Sequence, residues 1–319
     1  MTNPFPYADD NKRYHTWNYD LHRRFGKKVF KVSLNAGFTC PNIDGTKGTG
    51  GCTYCSGSGS GDFAGNPRDS LSVQFDAVRM QLHQKWPHAS YIPYFQAHTN
   101  TYAPLSYLQQ CYESVLSKPG VVGLAIATRA DALPQDVVDY LAELSQRTYL
   151  LVELGLQTTF DQTAKHINRG HTYAEFLQGY QKLQDKGIQT CIHLINGLPF
   201  ETRDMMLENI SRVAQLHPNS VKIHLLHLLK GTKMAAEYQQ NPFPLFSLDE
   251  YVSLVCDQLE LLPASIVIQR LTGDGAKEDL IAPLWSLKKF VVLNEIDKEL
   301  TRRNSWQGKY AQPPVQTLS

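Results

Sequence analysis

The chain has 319 residues, of which 42% are hydrophobic and 19% charged, and its formal net charge is +1. This composition fits one large α/β domain with short extensions, and so small a net charge does not demand a nucleic-acid partner. No apolar run approaches the ~18 residues of a membrane span. The first residues have neither the apolar core of a signal peptide nor the arginine-rich pattern of a transit peptide. We therefore expect a cytoplasmic protein without membrane contact.

Short β-branched runs alternate with longer segments of helical period, which predicts repeated β–α units and a parallel sheet. The predicted strands are 29–34, 91–96, 121–128, 149–157, 189–195, 221–226 and 266–270. The predicted helices are 70–86, 105–116, 135–146, 172–186, 202–216, 232–239 and 248–261. Six or seven such units suit an open, partial (β/α) barrel of the TIM type, whose site would lie at the carboxyl ends of the strands.

The predicted barrel divides the chain into three regions. We expect the core to span 29–272, with a basic and aromatic N-terminal extension at 1–28. We expect 273–319 to form a C-terminal helical extension that packs on the barrel.

Three cysteines lie in the glycine-rich segment that follows the first predicted strand. Cys40, Cys52 and Cys55 have the spacing C-x11-C-x2-C, and thiolates are soft ligands that hold iron–sulfur clusters or zinc. Three protein ligands leave a coordination position open for chemistry. A noncatalytic interaction module with a structural zinc site is the alternative, although such a site normally takes four ligands. The other cysteines are scattered, which argues against a disulfide framework.

Polar residues interrupt the predicted strands, although a parallel strand covered on both faces should be almost continuously aliphatic. Glu153 and Gln157 share a face on the fourth strand, and Cys191 and His193 share a face on the fifth. A polar column inside a barrel is costly unless partners or a ligand satisfy it. The column therefore indicates either a ligand site or a structural hydrogen-bond network.

Two segments resemble the radical S-adenosylmethionine superfamily. The cysteines, with Tyr54 before the last of them, resemble its signature C-x3-C-x-aromatic-C with the first gap lengthened to eleven residues. Residues 152–172, VELGLQTTFDQTAKHINRGHT, resemble the VELGxQS and NRGHT pattern of elongator-type proteins. Over residues 14–308 the chain resembles the short bacterial YhcC/YtqA type, which is related to the radical domain of the elongator catalytic subunit.

This resemblance implies two cofactors and a reaction class. It implies that 29–272 is a radical SAM core and that Cys40, Cys52 and Cys55 bind a [4Fe–4S] cluster. S-adenosylmethionine would chelate the iron that has no cysteine ligand. One electron would then cleave it to a 5′-deoxyadenosyl radical, in an oxygen-sensitive reaction.

The resemblance also implies roles for other residues. Tyr54 should pack near the adenine, Gln157 should contact the ribose, and Arg169 should pair with the methionine carboxylate, for which its planar guanidinium is suited. Many family members hold the amino group with Gly-Gly-Glu, but this chain has FQAHTNTY at 95–102. The candidates to replace that motif are Gln96, Thr99 and Asn100.

Three residues of the polar column stay open to two interpretations. Glu153 and His193 are further candidates for cofactor binding, and a buried pair that is bonded to the backbone explains them equally well. Cys191 is a candidate for a radical relay or a small buried residue of the core.

Basic and aromatic residues are concentrated near both ends of the chain. Residues 12–31 hold seven lysines and arginines against one acid, with aromatic residues between them, and a second basic group spans residues 288–309. Basic side chains for phosphates and aromatic rings for unstacked bases are ingredients of RNA binding, and they are also found on ordinary solvated surfaces.

The family resemblance favours a tRNA substrate. It implies an enzyme that modifies the substituent at C5 of the tRNA wobble uridine, with a flavodoxin or ferredoxin as electron donor. A radical enzyme that acts on a small molecule or a peptide is the rival hypothesis, and it predicts no salt-sensitive tRNA affinity.

Overall fold

A computed structural model describes residues 5, 7, 10–57, 59, 64–273 and 275–311. The ends of the two predicted extensions, 1–4 and 312–319, lie outside the described residues. The division into three regions stays a prediction.

Nine strands and ten α-helices occur in the described part of the chain. The strands are β1 (Val29–Leu34), β2 (Ser90–Phe95), β3 (Gly123–Thr128), β4 (Tyr149–Gln157), β5 (Gln189–Asn196), β6 (Ser220–Leu225), β7 (Leu228–Leu229), β8 (Val267–Arg270) and β9 (Leu280–Ala282). The helices are α1 (Trp17–Phe25), α2 (Leu71–Lys85), α3 (Leu105–Leu116), α4 (Gln135–Arg147), α5 (Asp161–His166), α6 (Tyr173–Asp185), α7 (Arg203–Gln215), α8 (Lys233–Gln240), α9 (Leu248–Leu261) and α10 (Lys289–Arg302). Short 3₁₀ helices lie at Ala130–Ala132 and Leu284–Leu287.

The strands form a curled, parallel half-barrel. Strands β1 to β6 and then β8 are neighbours in chain order in a seven-stranded sheet, while β7 pairs with β9 in an antiparallel ribbon. This arrangement confirms the predicted partial (β/α) barrel. All seven predicted strands and all seven predicted helices are present; β1, β4, α3 and α9 have the predicted bounds, and the others are shifted at one or both ends by one or two residues. Helices α1, α5 and α10 and strands β7 and β9 were not predicted as individual elements.

Local sequence signals fix several helix starts. Thr172 and Ser247 begin α6 and α9 with complete capping boxes, in which Glu175 and Glu250 return a hydrogen bond to the cap backbone. Each box satisfies amide groups that a helix start leaves without partners. No helix in the described ranges is long and apolar enough to cross a bilayer.

The interior of the half-barrel is apolar at one end and polar at the other. Near the amino ends of the strands, Ile92, Leu151 and Cys191 pack with Leu21 of α1. Helix α1 packs against both edge strands, β1 and β8, and the Ile268 amide donates to the His15 carbonyl at 2.7 Å. The apolar end is therefore filled by α1, and the polar side chains lie toward the carboxyl ends of the strands.

Candidate functional site

A cavity of about 780 Å³ opens at the carboxyl ends of the strands. Most of the predicted site residues line it, namely Cys40, Cys52, Tyr54, Cys55, Gln96, Thr99, Glu153, Gln157, Arg169 and His193. Asn100 and Cys191 are not among the residues that line it. The structure thus brings together two distant sequence segments, the cysteine segment and the 152–172 segment, in which Cys52 and Arg169 are 117 positions apart.

The cysteine loop is tied to the segment that carries Arg169. The Asn168 side chain donates to the carbonyls of Gly51 at 2.7 Å and Thr49 at 3.2 Å. The Thr53 amide donates to the Ile167 carbonyl at 3.0 Å. These bonds fix the loop from Thr49 to Thr53 against residues 167–168, which places the Cys52 thiol next to the Arg169 guanidinium.

Left-handed backbone makes this close approach possible. Gly51 has φ +71°, Asn168 has φ +51° and Gly170 has φ +75°, and this region favours glycine and tolerates asparagine. A Cβ atom on Gly170 would lie 2.4 Å from the side-chain oxygen of Asn42. The NRG sequence at 168–170 therefore reflects the turn that it forms.

Arg169 is buried between the two segments. One of its Nη atoms donates to the Gly155 carbonyl, and the other lies 3.9 Å from Sγ of Cys52. Its Nε atom is buried and has no hydrogen-bond partner in the described part of the chain. Its carbonyl accepts from Arg129 at 2.8 Å, and a bidentate pair with Asp131 holds Arg129 in turn. The guanidinium is thus held in place with one N–H available for a ligand.

Opposite charges stabilise each other at this position. The Cys55 side chain and then the Arg169 guanidinium hold the pKa of the Cys52 thiol well below its usual range, although burial acts against them. Burial acts to lower the pKa of Arg169, but the neighbouring Cys52 and Tyr54 raise it above its ordinary value. The site therefore favours a thiolate beside a guanidinium, and thiolate is the form that binds metals.

The end of β4 is distorted at the cavity. The pairing of β4 with β5 shifts register between Gly155 and Gln157, and Gln157 has φ +75°. A Cβ atom on Gly155 would lie 2.8 Å from Nε2 of Gln157 and 3.1 Å from Arg169. A bulge next to an active site commonly redirects a side chain, and here it turns Gln157 toward the cavity beside Arg169.

A buried ionic cluster forms the floor of the cavity. Glu153 is fully buried and pairs with Lys31, with Lys222 and with His193, the last at 3.0 Å. Burial acts to raise the pKa of Glu153, but Lys222 and Lys31 outweigh it and hold that pKa well below its ordinary value. Sequence reasoning missed Lys222. The available signal was a lysine in the middle of a strand that is buried on both faces.

The two remaining candidates have structural partners. The Asn100 side chain donates to the Ala127 carbonyl at 2.8 Å, which ties it to the end of β3. Cys191 is fully buried among apolar side chains. Burial and then Glu153 raise the pKa of Cys191 to about 12, so that it remains a thiol. Its sulfur lies within 4.8 Å of ligand atoms of Glu153 and His193, but the two lysines already occupy that carboxylate.

The family models match most of this architecture. The model for the radical SAM superfamily matches residues 43–213, and the model for the radical SAM C-terminal domain matches residues 218–302. The chain belongs to the radical SAM superfamily. It is a radical SAM enzyme, whose cofactors are a [4Fe–4S] cluster and S-adenosylmethionine. This membership decides against the zinc-binding interaction module.

Similar proteins extend this assignment. The uncharacterized protein YtqA of Bacillus subtilis strain 168 is 55% identical over 312 residues, which are 98% of this chain and 97% of YtqA. The tRNA uridine(34) acetyltransferase of Methanocaldococcus jannaschii is 24% identical over 156 residues, which are 48% of this chain and 28% of that protein. The structure of the archaeal Methanocaldococcus infernus Elp3, with an N-terminal deletion, matches with a TM-score of 0.66 and 17% identity and covers 88% of this chain and 64% of that one. This last likeness shows the fold.

The residues of the cavity fit the cofactors of this radical SAM enzyme. Three free cysteines line one cavity, and Cys52 among them is buried beside a guanidinium. The unpartnered Nε of Arg169 is a buried donor that suits an anionic group such as a carboxylate. Gly155 leaves open space where a side chain would collide with Gln157 and Arg169.

Proposed function

We propose that this radical SAM enzyme modifies the substituent at C5 of the tRNA wobble uridine. The observation that carries the proposal is the charge of the cavity. Among the described residues that line it, seven are cationic and one is acidic, Glu153. The cations are Lys28, Lys31, Arg129, Arg169, Lys222, Arg270 and Lys289. A concave site with this imbalance attracts polyanions such as RNA, although the whole chain is almost neutral.

Similarity to a tRNA uridine(34) acetyltransferase supports the same substrate class. About half of this chain aligns with that protein, and the aligned part includes only 28% of it. The acetyltransferase activity in its name is therefore not carried over to this chain. What the similarity supports is a shared target nucleoside.

The basic and aromatic residues of 12–31 lie in different parts of the fold. Tyr14 and Tyr19 are buried in the fold, so they are not free surfaces for base stacking. Lys12 pairs with Asp297 on α10. Lys28 and Lys31, in contrast, line the cavity. Lys28 and Lys31 are thus the cations of this stretch that would meet RNA at the cavity itself.

Three cysteines and an arginine are the residues that would hold the cofactors. Cys40, Cys52 and Cys55 would bind the cluster, and Arg169 would bind the methionine carboxylate through its free Nε. When bound, the cluster and S-adenosylmethionine supply a 5′-deoxyadenosyl radical that abstracts a hydrogen atom. Burial of Arg169 strengthens its bond to the carboxylate, because few water molecules compete there.

The remaining cavity residues would orient the rest of S-adenosylmethionine. Gln157, turned inward by the bulge of β4, would contact the ribose. Tyr54 is half-buried beside Cys52 and Cys55, and burial and then the charges of these cysteines raise its pKa well above the usual value; it would pack near the adenine. Gln96 and Thr99 line the cavity and are the candidates to hold the amino group. A cytoplasmic flavodoxin or ferredoxin would supply the electron.

Comparison of tRNA nucleosides from cells with and without the gene tests the proposal. We expect one uridine derivative to accumulate in the deletion strain and its product to be missing. The wild-type gene should restore the product, and Cys52→Ala should not. Identical nucleoside profiles in the two strains would reject the tRNA substrate and leave a small molecule or a peptide as the substrate class.

A further inference from the structure

The floor of the cavity carries more positive than negative charge. Lys31 on β1 and Lys222 on β6 both donate to the carboxylate of Glu153. Lys31 also donates to Gln269 at 2.8 Å, and Lys222 to the Tyr94 hydroxyl at 3.3 Å. Each ammonium group has three N–H donors, so each keeps donor capacity beyond these bonds. One carboxylate cannot neutralise two ammonium groups.

Burial makes this imbalance costly to the folded protein. The side chain of Glu153 is fully buried, that of Lys222 is 8% exposed and that of Lys31 is 17% exposed. A buried charge destabilises the fold unless a counter-charge and hydrogen bonds compensate it. One lysine would be enough to neutralise Glu153 in a purely structural ion pair. Because both lysines line the cavity, their remaining exposure faces the space where a ligand would lie.

The neighbouring histidines do not change this excess. Burial and then Lys222 lower the pKa of His193 to about 4, and burial and then Arg270 hold the pKa of His224 well below its usual value. Both imidazoles are therefore neutral at pH 7. Burial lowers the pKa of Lys222 to about 8, against the effect of Glu153. Lys222 is thus still mainly protonated at pH 7, and its positive charge is only partly compensated by Glu153.

We propose that Lys31 and Lys222 form a subsite that binds an anionic group of the substrate, a carboxylate or a phosphate. This rests on the proposed function only in that the substrate enters this cavity. The two lysines bind different oxygens of the Glu153 carboxylate, Lys31 from the edge strand β1 and Lys222 from β6, which is the neighbour of the other edge strand β8. An anion held between them is fixed relative to Arg169 and Gln157, so these lysines are positioning residues.

Crystals of the full chain soaked in sodium selenate test the subsite without any tRNA. We expect an anomalous peak within hydrogen-bond distance of both Nζ atoms. Lys222→Met should remove the peak. Lys118→Met should keep it, because Lys118 pairs with Asp76 at 2.7 Å and does not line the cavity. A wild-type map with selenate at other positions and none at the floor would overturn the proposal.

Steady-state kinetics test the role in catalysis, with tRNA from the deletion strain as substrate. We expect Lys222→Met to raise KM about tenfold, the effect of removing one charge-assisted hydrogen bond. Lys222→Arg, which keeps the charge, should recover part of this affinity, and Lys118→Met should behave as wild type. Lys31→Met is a second variant in case Lys222→Met fails to fold. Unchanged kinetics in folded Lys222→Met and Lys31→Met would refute the subsite.

The nucleoside that accumulates in the deletion strain identifies the source of the anion. After phosphatase treatment, an acidic nucleoside would support a carboxylate on the base. A neutral nucleoside together with selenate at the floor would support a backbone phosphate, and a neutral nucleoside without selenate there would overturn the subsite. If no nucleoside changes, the tRNA proposal fails, and the selenate result still decides the subsite.

Discussion

Arg169 is the residue that connects the cysteine loop to the strand ends. It donates to the Gly155 carbonyl, lies 3.9 Å from Sγ of Cys52, and keeps a buried Nε without a partner in the described residues. A buried donor without a partner costs about 1–3 kcal/mol. That cost is explained when a ligand anion completes the hydrogen bond.

Replacement of Arg169 tests this role directly. We expect Arg169→Lys to weaken S-adenosylmethionine binding at least about tenfold, since a lysine cannot reproduce the planar fork. Calorimetry on the cluster-loaded protein measures the affinity, and iron content checks that the cluster remains. Arg302→Lys is the control, because Arg302 is 73% exposed at the end of α10, pairs there with Glu299 and does not line the cavity. An unchanged affinity in Arg169→Lys would contradict the assignment.

Glu201 should make stability depend on pH. Burial raises its pKa to about 7, against hydrogen bonds from Thr158 and Asn209. Glu201 therefore binds a proton more tightly in the folded state than in the unfolded state, where the pKa of a glutamate is about 4.3. The stability that this proton contributes is fully present below the unfolded-state pKa and is lost as the pH rises through the folded-state pKa of about 7.

Thermal unfolding of Glu201→Gln at two pH values checks this sign. At pH 8 we expect the variant to be more stable than wild type by about 2 kcal/mol, and at pH 5 we expect little difference. Glu143→Gln is the control, because Glu143 is largely exposed. Equal effects of Glu201→Gln at both pH values would show that the carboxyl is not perturbed.

At the scale of elements, the turn at 168–170 positions the site. Its left-handed residues let the backbone approach the cysteine loop, and a Cβ on Gly170 would meet Asn42 at 2.4 Å. Gly187 offers a matched comparison. It also has a positive φ, +64°, but a Cβ there would meet nothing within 4 Å.

Two glycine substitutions separate strain from disruption of the site. Both Gly170→Ala and Gly187→Ala should lower the unfolding free energy by about 1 kcal/mol because of the positive φ. Only Gly170→Ala should also displace Asn42 and the cysteine loop, and so lower the iron and sulfide bound per chain by half or more. Equal cluster content in the two variants would argue against this link between the turn and the loop.

The repeated elements were predictable because their signals are local. Seven strands and seven helices follow from β-branched runs and helical period, and Thr172 and Ser247 add capping signals that lie within the same short segments. Helix α1 was not predicted, because WNYDLHRRF is rich in polar residues and only Tyr19 and Leu21 are buried. It depends on tertiary contacts with β1 and β8. Helix α5 has six residues, too few to show a period.

The site was predictable where a motif marks it and not where contacts are distant. The cysteines, Gln157 and Arg169 were named from motifs, and all of them line the cavity. Lys222 pairs with a glutamate 69 positions away in the chain, and Asn42 donates to the carbonyl of Asn168 over 126 positions. No local pattern contains such pairs. Their assignment required the curled sheet.

At the scale of the whole molecule, positive charge is concentrated in the lining of the cavity. The net charge of the chain is +1, while the described lining has seven cations and one acid. Within the second basic group, Arg302 pairs with Glu299 on α10, and Arg303, which follows that helix, pairs with Asp257 on α9. The cavity is therefore where a polyanion is expected to bind.

The salt dependence of tRNA binding tests this distribution. We expect the double variant Lys28→Ala/Lys289→Ala to weaken tRNA binding several-fold at low salt. It should also reduce the slope of log K against log salt by about 0.7 for each phosphate that the variant no longer neutralises. Lys186→Ala/Lys298→Ala is the control, since both lysines are exposed and do not line the cavity. Equal slopes for the two double variants would contradict a binding site at the cavity.

Anaerobic reconstitution with iron and sulfide, followed by dithionite, S-adenosylmethionine and tRNA from the deletion strain, tests the central claim most directly. The measured products are 5′-deoxyadenosine and the altered nucleoside. We predict that both form together with the wild-type protein and that Cys55→Ala forms neither. A verified [4Fe–4S] cluster that yields no 5′-deoxyadenosine, or yields it without any change in the tRNA, would contradict the account.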